Sequence, residues 1–228
     1  MNYCVIPARG GSKRIPRKNI KLFCGKPMIV WSIEVAKSCG CFDRVIVSTD
    51  DSEIADIAKQ NGAEVPFFRP SYLADDYSGT AEVVKHAVRW YDDQGETSDY
   101  VCCIYATAPF IQECDIRRGL KELKACDASF AVGVTSFDYP IHRAIAINEA
   151  NRIYMLDPRN YEKRSQDFDE VWHDAGQFYW GRKSAWLANE PVLGRSSIPI
   201  KIPRFRVQDI DTQDDWHCAE RLFRIRGV

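Results

Sequence analysis

The chain is short of several signals that would have decided its class quickly. Its nine cysteines form no Cys-x-x-Cys pair, and with the four histidines they show no zinc-ligand spacing. Their odd number, with Cys4, Cys102 and Cys103 inside apolar runs, points to reduced thiols acting as small hydrophobes in a cytoplasmic protein. No apolar run nears the roughly 20 residues that span a bilayer, so no membrane partner is expected. No basic segment precedes an apolar core at the N-terminus, so no signal peptide is expected. Internal repeats, low-complexity tracts and linkers are also missing, and 228 residues suit a single domain over 1–228. A broad basic surface is absent too, since the net charge is −1, which argues against a general nucleic-acid binder.

What charge there is falls unevenly. Residues 1–33 hold seven cations and no acid, leaving 24 cations against 32 acids in the rest. Those cations cluster in and after Ile6-Pro7-Ala8-Arg9-Gly10-Gly11-Ser12-Lys13-Arg14-Ile15-Pro16-Arg17-Lys18-Asn19, which follows the apolar run from Tyr3. Adjacent glycines let a backbone turn its N–H groups towards an anion, and flanking Lys and Arg add charge. A local basic pocket on a mildly acidic body suits a small polyanion. Taken alone, the same loop could also be a solvated basic face. The glycine spacing of a dinucleotide-binding fingerprint does not follow Gly10-Gly11.

Along the chain, strand-like and helix-like segments alternate. Strands are expected at 3–8, 44–48, 64–68, 100–105, 128–135, 176–181, 198–202 and 207–211. Helices are expected at 27–39, from a cap at Asp50-Asp51-Ser52 to Gln60, at 79–93, 113–126, 182–189 and from about Thr212. The alternation predicts an α/β fold with a mostly parallel central sheet covered by helices on both faces. From about 136 the pattern breaks. Two strand-like pieces, 144–147 and 152–155, and a polar stretch to 174 read as an insertion over 136–172 serving as substrate lid or dimer contact.

Asp209 and Asp211 alternate by two, so an extended segment projects both carboxylates from one face. Two such acids can hold Mg²⁺ against substrate phosphates. Alternatively, Asp211 or Thr212 merely caps the last helix. Acids beside bound phosphate make sense with a metal between them, which weighs against a non-catalytic nucleotide- or RNA-binding module.

The loop motif Ile6 to Lys13, with Ile15-Pro16 and Lys18-Asn19, resembles the signature of the CMP-sialic acid synthetase (acylneuraminate cytidylyltransferase) family. Val45 to Asp50, Arg69-Pro70, Thr107-Ala108-Pro109 and Asp209-Ile210-Asp211-Thr212 fit the same family in order, over essentially the whole chain. Where the sialic acid enzymes typically carry Gln-Pro-Thr-Ser-Pro-Leu, this chain has Tyr105-Ala106-Thr107-Ala108-Pro109-Phe110; where they have Asn-Gly, it has Ala175-Gly176. Arg164 to Asp167 and His173 to Gly181 instead look like the members that activate pseudaminic acid for bacterial surface glycans and flagellin.

The resemblance implies a Rossmann-like nucleotidyltransferase fold, a homodimer, Mg²⁺ at Asp209 and Asp211, and CTP and a nine-carbon keto-acid sugar as substrates. It implies that Arg9, Lys13 and Lys18, with Ala8 and the amides of Gly10, Gly11 and Ser12, hold the triphosphate. Lys18, Arg9 and Asp211 become the catalytic set. Asn19, Arg69, Ser78 and Thr80 would read the base, although Ser78 or Thr80 could simply cap the 79–93 helix and Arg69 could form a surface salt bridge. Tyr105, Arg164, Gln166, His173, Gln177 and Tyr179 would meet the sugar, with the two glutamine-strand residues Phe178 and Trp180 left to the core. His142 and Arg143 are further sugar candidates; these two, Arg164, Gln166 and His173 could each equally be surface residues, and Arg14 and Arg17 could face phosphate or water. Legionaminic and N-acetylneuraminic acid are the alternative sugars.

Overall fold

The computed structural model describes residues 1–75 and 79–225. Its centre is a six-stranded sheet built from β1 (Asn2–Pro7), β4 (Arg44–Ser48), β5 (Tyr100–Ile104), β6 (Phe130–Ser136), β9 (Trp172–Arg182) and β10 (Ser197–Lys201), in the order β10-β6-β9-β5-β1-β4. β9 runs antiparallel to both β5 and β6, and the other pairs are parallel. The inner four residues of β1 and the last four of β5 are buried, as near-continuous apolar runs require when both faces are covered. After β1 the chain steps out to β4 and then returns across β1 to β5. Such a reversal of strand order opens a crevice at the carboxyl ends of the strands, where ligands bind in open α/β sheets.

Helices α1 (Met28–Ser38), α2 (Ser52–Gln60) and α4 (Glu113–Lys124) cover one face through Ile29, Ile33, Ile54, Ile116 and Leu123. Helices α3 (Thr80–Asp93) and α5 (Lys183–Leu187) cover the other through Val84, Val88 and Trp186. Phe178 and Trp180 are fully buried in the first of these layers, so they belong to the core as their spacing allowed. Their bulk explains a glycine in the middle of α4: a Cβ at Gly119 would meet Trp180 Cδ1 at 2.8 Å. A smaller third core packs α6 (Gln213–Ile225) on the basic loop through Ile15, Phe23, Ile210, Trp216 and Phe223. Two short strands, β2 (Leu22–Phe23) and β3 (Lys26–Pro27), turn that loop into α1. No helix among the described residues is long and apolar enough to cross a membrane.

Two expected strands differ. Residues 64–68 make only isolated bridges, Ile46 with Glu64 and Thr49 with Phe68, along the edge of β4. Residues 207–211 join no strand; their alternation records burial of Ile210 between more accessible aspartates, not a ladder. Between β6 and β9 the chain leaves the sheet for a separate hairpin, β7 (Ile145–Ile147) and β8 (Ile153–Met155), closed by the turn at 148–151. Ile145, Ile147, Ile153, Tyr154 and Leu156 are all exposed on or beside it.

Candidate active site

The basic loop is held by acids of the β4–α2 connection. Gly10 N–H donates to Asp50 Oδ1 at 2.9 Å, and a Cβ on Gly10 would lie 2.7 Å from Asp51 Oδ2, so only glycine fits. Arg17, at φ +56°, donates through both Nη atoms to the Asp51 carboxylate and at 2.5 Å to Glu53. Hydrogen bonding to Arg17 holds the Asp51 carboxyl below its ordinary range, and Asp51 also caps α2 by accepting from Ile54 N–H at 3.0 Å. Arg17 is therefore spent on fixing the loop. Of the residues expected to form the amide cradle, Gly10 N–H goes to Asp50, Ser12 N–H to Gly10 O at 3.0 Å, and Ala8 is buried with its N–H on Ser48 O. The side chains of Arg9, Lys13, Arg14 and Lys18 line a cleft beside them.

Two adjoining clefts lie along the carboxyl edge of the sheet. The first, about 530 Å³, is lined by Arg9, Ser12, Lys13, Arg14, Lys18 and Arg69, with Asp75 and Asp211 as its acids. Its inner end is closed by Asn19, Leu73, Thr80, Val83 and Tyr105. Asn19 Nδ2 donates to Arg9 O at 2.9 Å, which ties the two walls. Arg69 is 6% exposed, which rules out a surface salt bridge. Its Nε donates to Ser48 Oγ at 3.2 Å and its Nη2 to Ser48 O, while burial lowers its pKa to about 10. Arg69 thus lines the cleft as a largely desolvated guanidinium held by Ser48. Gly79 occupies the N-cap position of α3, so Thr80 is not the cap and is left to line the cleft; Ser78 lies outside the described residues.

The second cleft, about 600 Å³, is lined by Thr135, Ser136, Asp138, His173, Asp174, Arg204, Gln208, Asp209 and Asp211 among others. Acids dominate it where cations dominate the first. Lys18, Tyr105, Thr107 and Asp211 line both, forming a shared wall. On that wall Lys18 Nζ donates to Ile210 O at 2.6 Å and to Asp211 Oδ1 at 3.2 Å, while Arg14 pairs with Asp211 Oδ2 at 2.9 Å. Asp211 is not the helix cap. Thr212 Oγ1 accepts from Asp215 N–H at 3.2 Å, and Asp215 accepts from the N–H groups of Asp211 and Thr212. That reciprocal box leaves the Asp211 carboxylate facing the clefts.

A directed chain of hydroxyls leads along the same wall. Tyr179 donates to the Asp174 carboxylate, which leaves its oxygen to accept from Tyr105 at 3.2 Å, and Thr80 Oγ1 lies 3.4 Å from Tyr105. Burial raises the pKa of Tyr179, keeping it a phenol. His173 lines the second cleft, its Nδ1 2.8 Å from Asp174 O. Tyr179 backs this wall without lining either cleft. Gln177 is 3% exposed and also lines neither. Arg164 pairs with Asp167 at 3.2 Å on an exposed turn with Gln166, outside both clefts, as are His142 and Arg143.

Arg204, Thr135 and Gln208 line the second cleft but had no motif to mark them, and Asp174 lay within the His173 to Gly181 segment without being singled out. They occur singly at strand ends and after β10, so only their common position at the carboxyl edge of the sheet identifies them.

The cytidylyltransferase family model matches residues 3–171, which includes the basic loop, Arg69 and Tyr105. The chain belongs to the cytidylyltransferase family. It is accordingly a nucleotidyltransferase that uses CTP. A pseudaminic acid cytidylyltransferase of Campylobacter jejuni subsp. jejuni serotype O:2 is 44% identical over 98% of this chain and 97% of its own length. A CMP-N,N'-diacetyllegionaminic acid synthase of Legionella pneumophila is 29% identical over 97% of this chain and 95% of its own. A CMP:2-keto-3-deoxy-manno-octonic acid synthetase, solved with CTP, shares the fold of this cytidylyltransferase at TM-score 0.72 and 16% identity, covering 99% of both chains.

Proposed function

We propose that this cytidylyltransferase converts CTP and pseudaminic acid into CMP-pseudaminic acid and pyrophosphate. The observation that carries the mechanism is the shared wall: a cationic cleft and an acidic cleft meet at Lys18 and Asp211. CTP lies in the first with its triphosphate among Arg9, Lys13, Arg14 and Lys18 and its base towards Asn19 and Arg69. The sugar lies in the second. Its anomeric hydroxyl attacks the α-phosphorus at the junction, and the bond to the β,γ-pyrophosphate breaks. Lys18 balances charge growing between the α-phosphate and the leaving group; Asp211 is placed to hold the proton of the attacking hydroxyl. Catalysis here is positioning plus charge neutralisation. The choice of sugar is supported by the 44% identity to a pseudaminic acid enzyme.

Asp209 and Asp211 flank buried Ile210 and both line the second cleft, and Asp209 has no side-chain partner among the described residues. Two hard carboxylate donors beside a phosphate site fit Mg²⁺, which takes one or two carboxylates and completes its shell with phosphate and water. These two residues would hold the ion, which when bound supplies Lewis-acid stabilisation of the phosphates and acidifies the attacking hydroxyl. Assays of pyrophosphate release from CTP with each nonulosonic acid in turn test the reading. Fastest turnover with pseudaminic acid is expected; faster turnover with N-acetylneuraminic or legionaminic acid would overturn the sugar assignment, and none with any would overturn the activity.

Arg69 is assigned to the base because a guanidinium donating to cytosine N3 and O2 rejects uracil, whose N3 is itself a donor. Arg69→Met is expected to raise the KM for CTP about 10- to 100-fold, with kcat changed far less, and to narrow the CTP-over-UTP preference. An unaltered nucleotide preference would remove that role.

The enzyme is further proposed to be a cytoplasmic homodimer joined through the β7–β8 hairpin, whose isoleucines and tyrosine are otherwise exposed. Ile147→Asp with Ile153→Asp is expected to halve the mass seen by light scattering on a sizing column. A mass unaffected by the double variant would place the contact elsewhere.

A further inference from the structure

The segment 207–211 carries Asp209 and Asp211 but joins no strand, so ladder hydrogen bonds do not position it. Its downstream end is set by the Thr212–Asp215 cap and its middle by buried Ile210. Its upstream end is set by Arg206. The Arg206 guanidinium grips Asp115 of α4 with Nη1–Oδ2 at 2.5 Å and Nη2–Oδ1 at 3.2 Å, and Nη1 also reaches Gln112 Oε1 at 2.6 Å. Its carbonyl accepts from Gln177 Nε2 of β9 at 2.6 Å. One residue thus ties the acidic segment to a helix and to a central strand.

Stability does not account for these choices. Gln177 Oε1 is buried with no partner among the described residues. An unmatched buried carbonyl is a cost, set against the one bond that Gln177 Nε2 makes to Arg206 O, so leucine would trade one unmatched acceptor for another. Arg206 and Asp115 are buried at 9% and 3% side-chain exposure, and a buried ion pair is weak as a source of stability but well suited to fixing one arrangement. We propose that Gln177, Arg206 and Asp115 form a brace that places the Asp209–Asp211 segment at the transfer point, so that Gln177 is a positioning residue and not a sugar contact. The inference rests on the role proposed above for those aspartates.

The test uses Gln177→Leu and, as a second apolar variant, Gln177→Met in the full chain, each with thermal unfolding, CTP titration calorimetry and steady-state kinetics. Expected are a Tm unchanged or only slightly lower, CTP bound at full occupancy with affinity within about twofold, and kcat lower by about 10- to 100-fold, the scale of a misplacement near 1 Å. Added to Asp211→Asn, Gln177→Leu should lower the residual turnover no further. A kcat within twofold of wild type in both variants would overturn the brace. So would a raised sugar KM at constant kcat, which would make Gln177 a sugar contact, or a fall in Tm with a matching loss of CTP-binding protein. If Asp211→Asn alone leaves turnover intact, the aspartate role fails first and the brace with it.

Discussion

Lys18→Met should leave a folded enzyme that binds CTP and turns over about 10²–10³-fold more slowly, the range seen when one preorganised charge-stabilising contact is removed. Methionine keeps the length and apolar stem of a side chain that is 19% exposed, so packing is little changed. What disappears is an ammonium 2.6 Å from Ile210 O and 3.2 Å from Asp211 Oδ1, on the wall where the two clefts meet. CTP affinity should fall only modestly, because Arg9, Lys13 and Arg14 still line the cationic cleft. The loss therefore belongs in kcat. Lys18→Arg restores charge but not a compact point charge, and its planar fork cannot occupy the same position between a carbonyl and a carboxylate. It should recover less than a tenth of wild-type turnover. Steady-state kinetics on both variants, with circular dichroism for the fold, check this. A Lys18→Met enzyme whose defect lay wholly in the KM for CTP would show Lys18 to be a binding cation only.

The half of the site that Lys18 shares with Arg9 and Lys13 was legible because its cations are neighbours in sequence, on one loop after one strand. Adjacent charges of one sign rarely serve a core, so their local density reads directly as an anion site. The partner of the Gly10 amide was not legible for a related reason. Gly10 does mark a close approach, but what approaches is Asp51, a residue 41 positions on, and local sequence carries no sign of that partner. The second cleft was largely illegible. Thr135, Asp174 and Arg204 come from β6, β9 and the turn after β10, and only the sheet brings them together. The helices and inner strands could be read because burial imposes a period on them. Residues 64–68 and 207–211 imitate that period at the sheet edge and in a loop, where alternating burial arises without a ladder. Gln177 shows the remaining limit: its strand and face were readable, but a bond from Nε2 to a carbonyl 29 residues away was not.

Asp211→Asn tests the other member of the shared wall, and its signature should be opposite in the nucleotide term. Asparagine keeps the shape and an oxygen acceptor, and the Thr212–Asp215 box that starts α6 does not use the Asp211 side chain, so Tm should barely move. Removing the negative charge leaves Arg14 and Lys18 without the carboxylate they share at 2.9 and 3.2 Å. The cationic cleft becomes more positive, and CTP should bind as tightly as before or more so. Turnover should nonetheless fall by about 10²–10³-fold or more if Asp211 has the role proposed for it, because the wall then loses the carboxylate proposed to hold the proton of the attacking hydroxyl and to act as a hard donor for Mg²⁺. Calorimetric titration with CTP alongside pyrophosphate release separates the two effects. Equal or tighter nucleotide binding with collapsed turnover is the expected pair. Weaker CTP binding with near wild-type kcat would mean that Asp211 only orients Arg14 and Lys18 for the nucleotide. The double variant Lys18→Met, Asp211→Asn should then lose much less than the product of the single losses, since each residue answers the other's charge on the wall that the two clefts share.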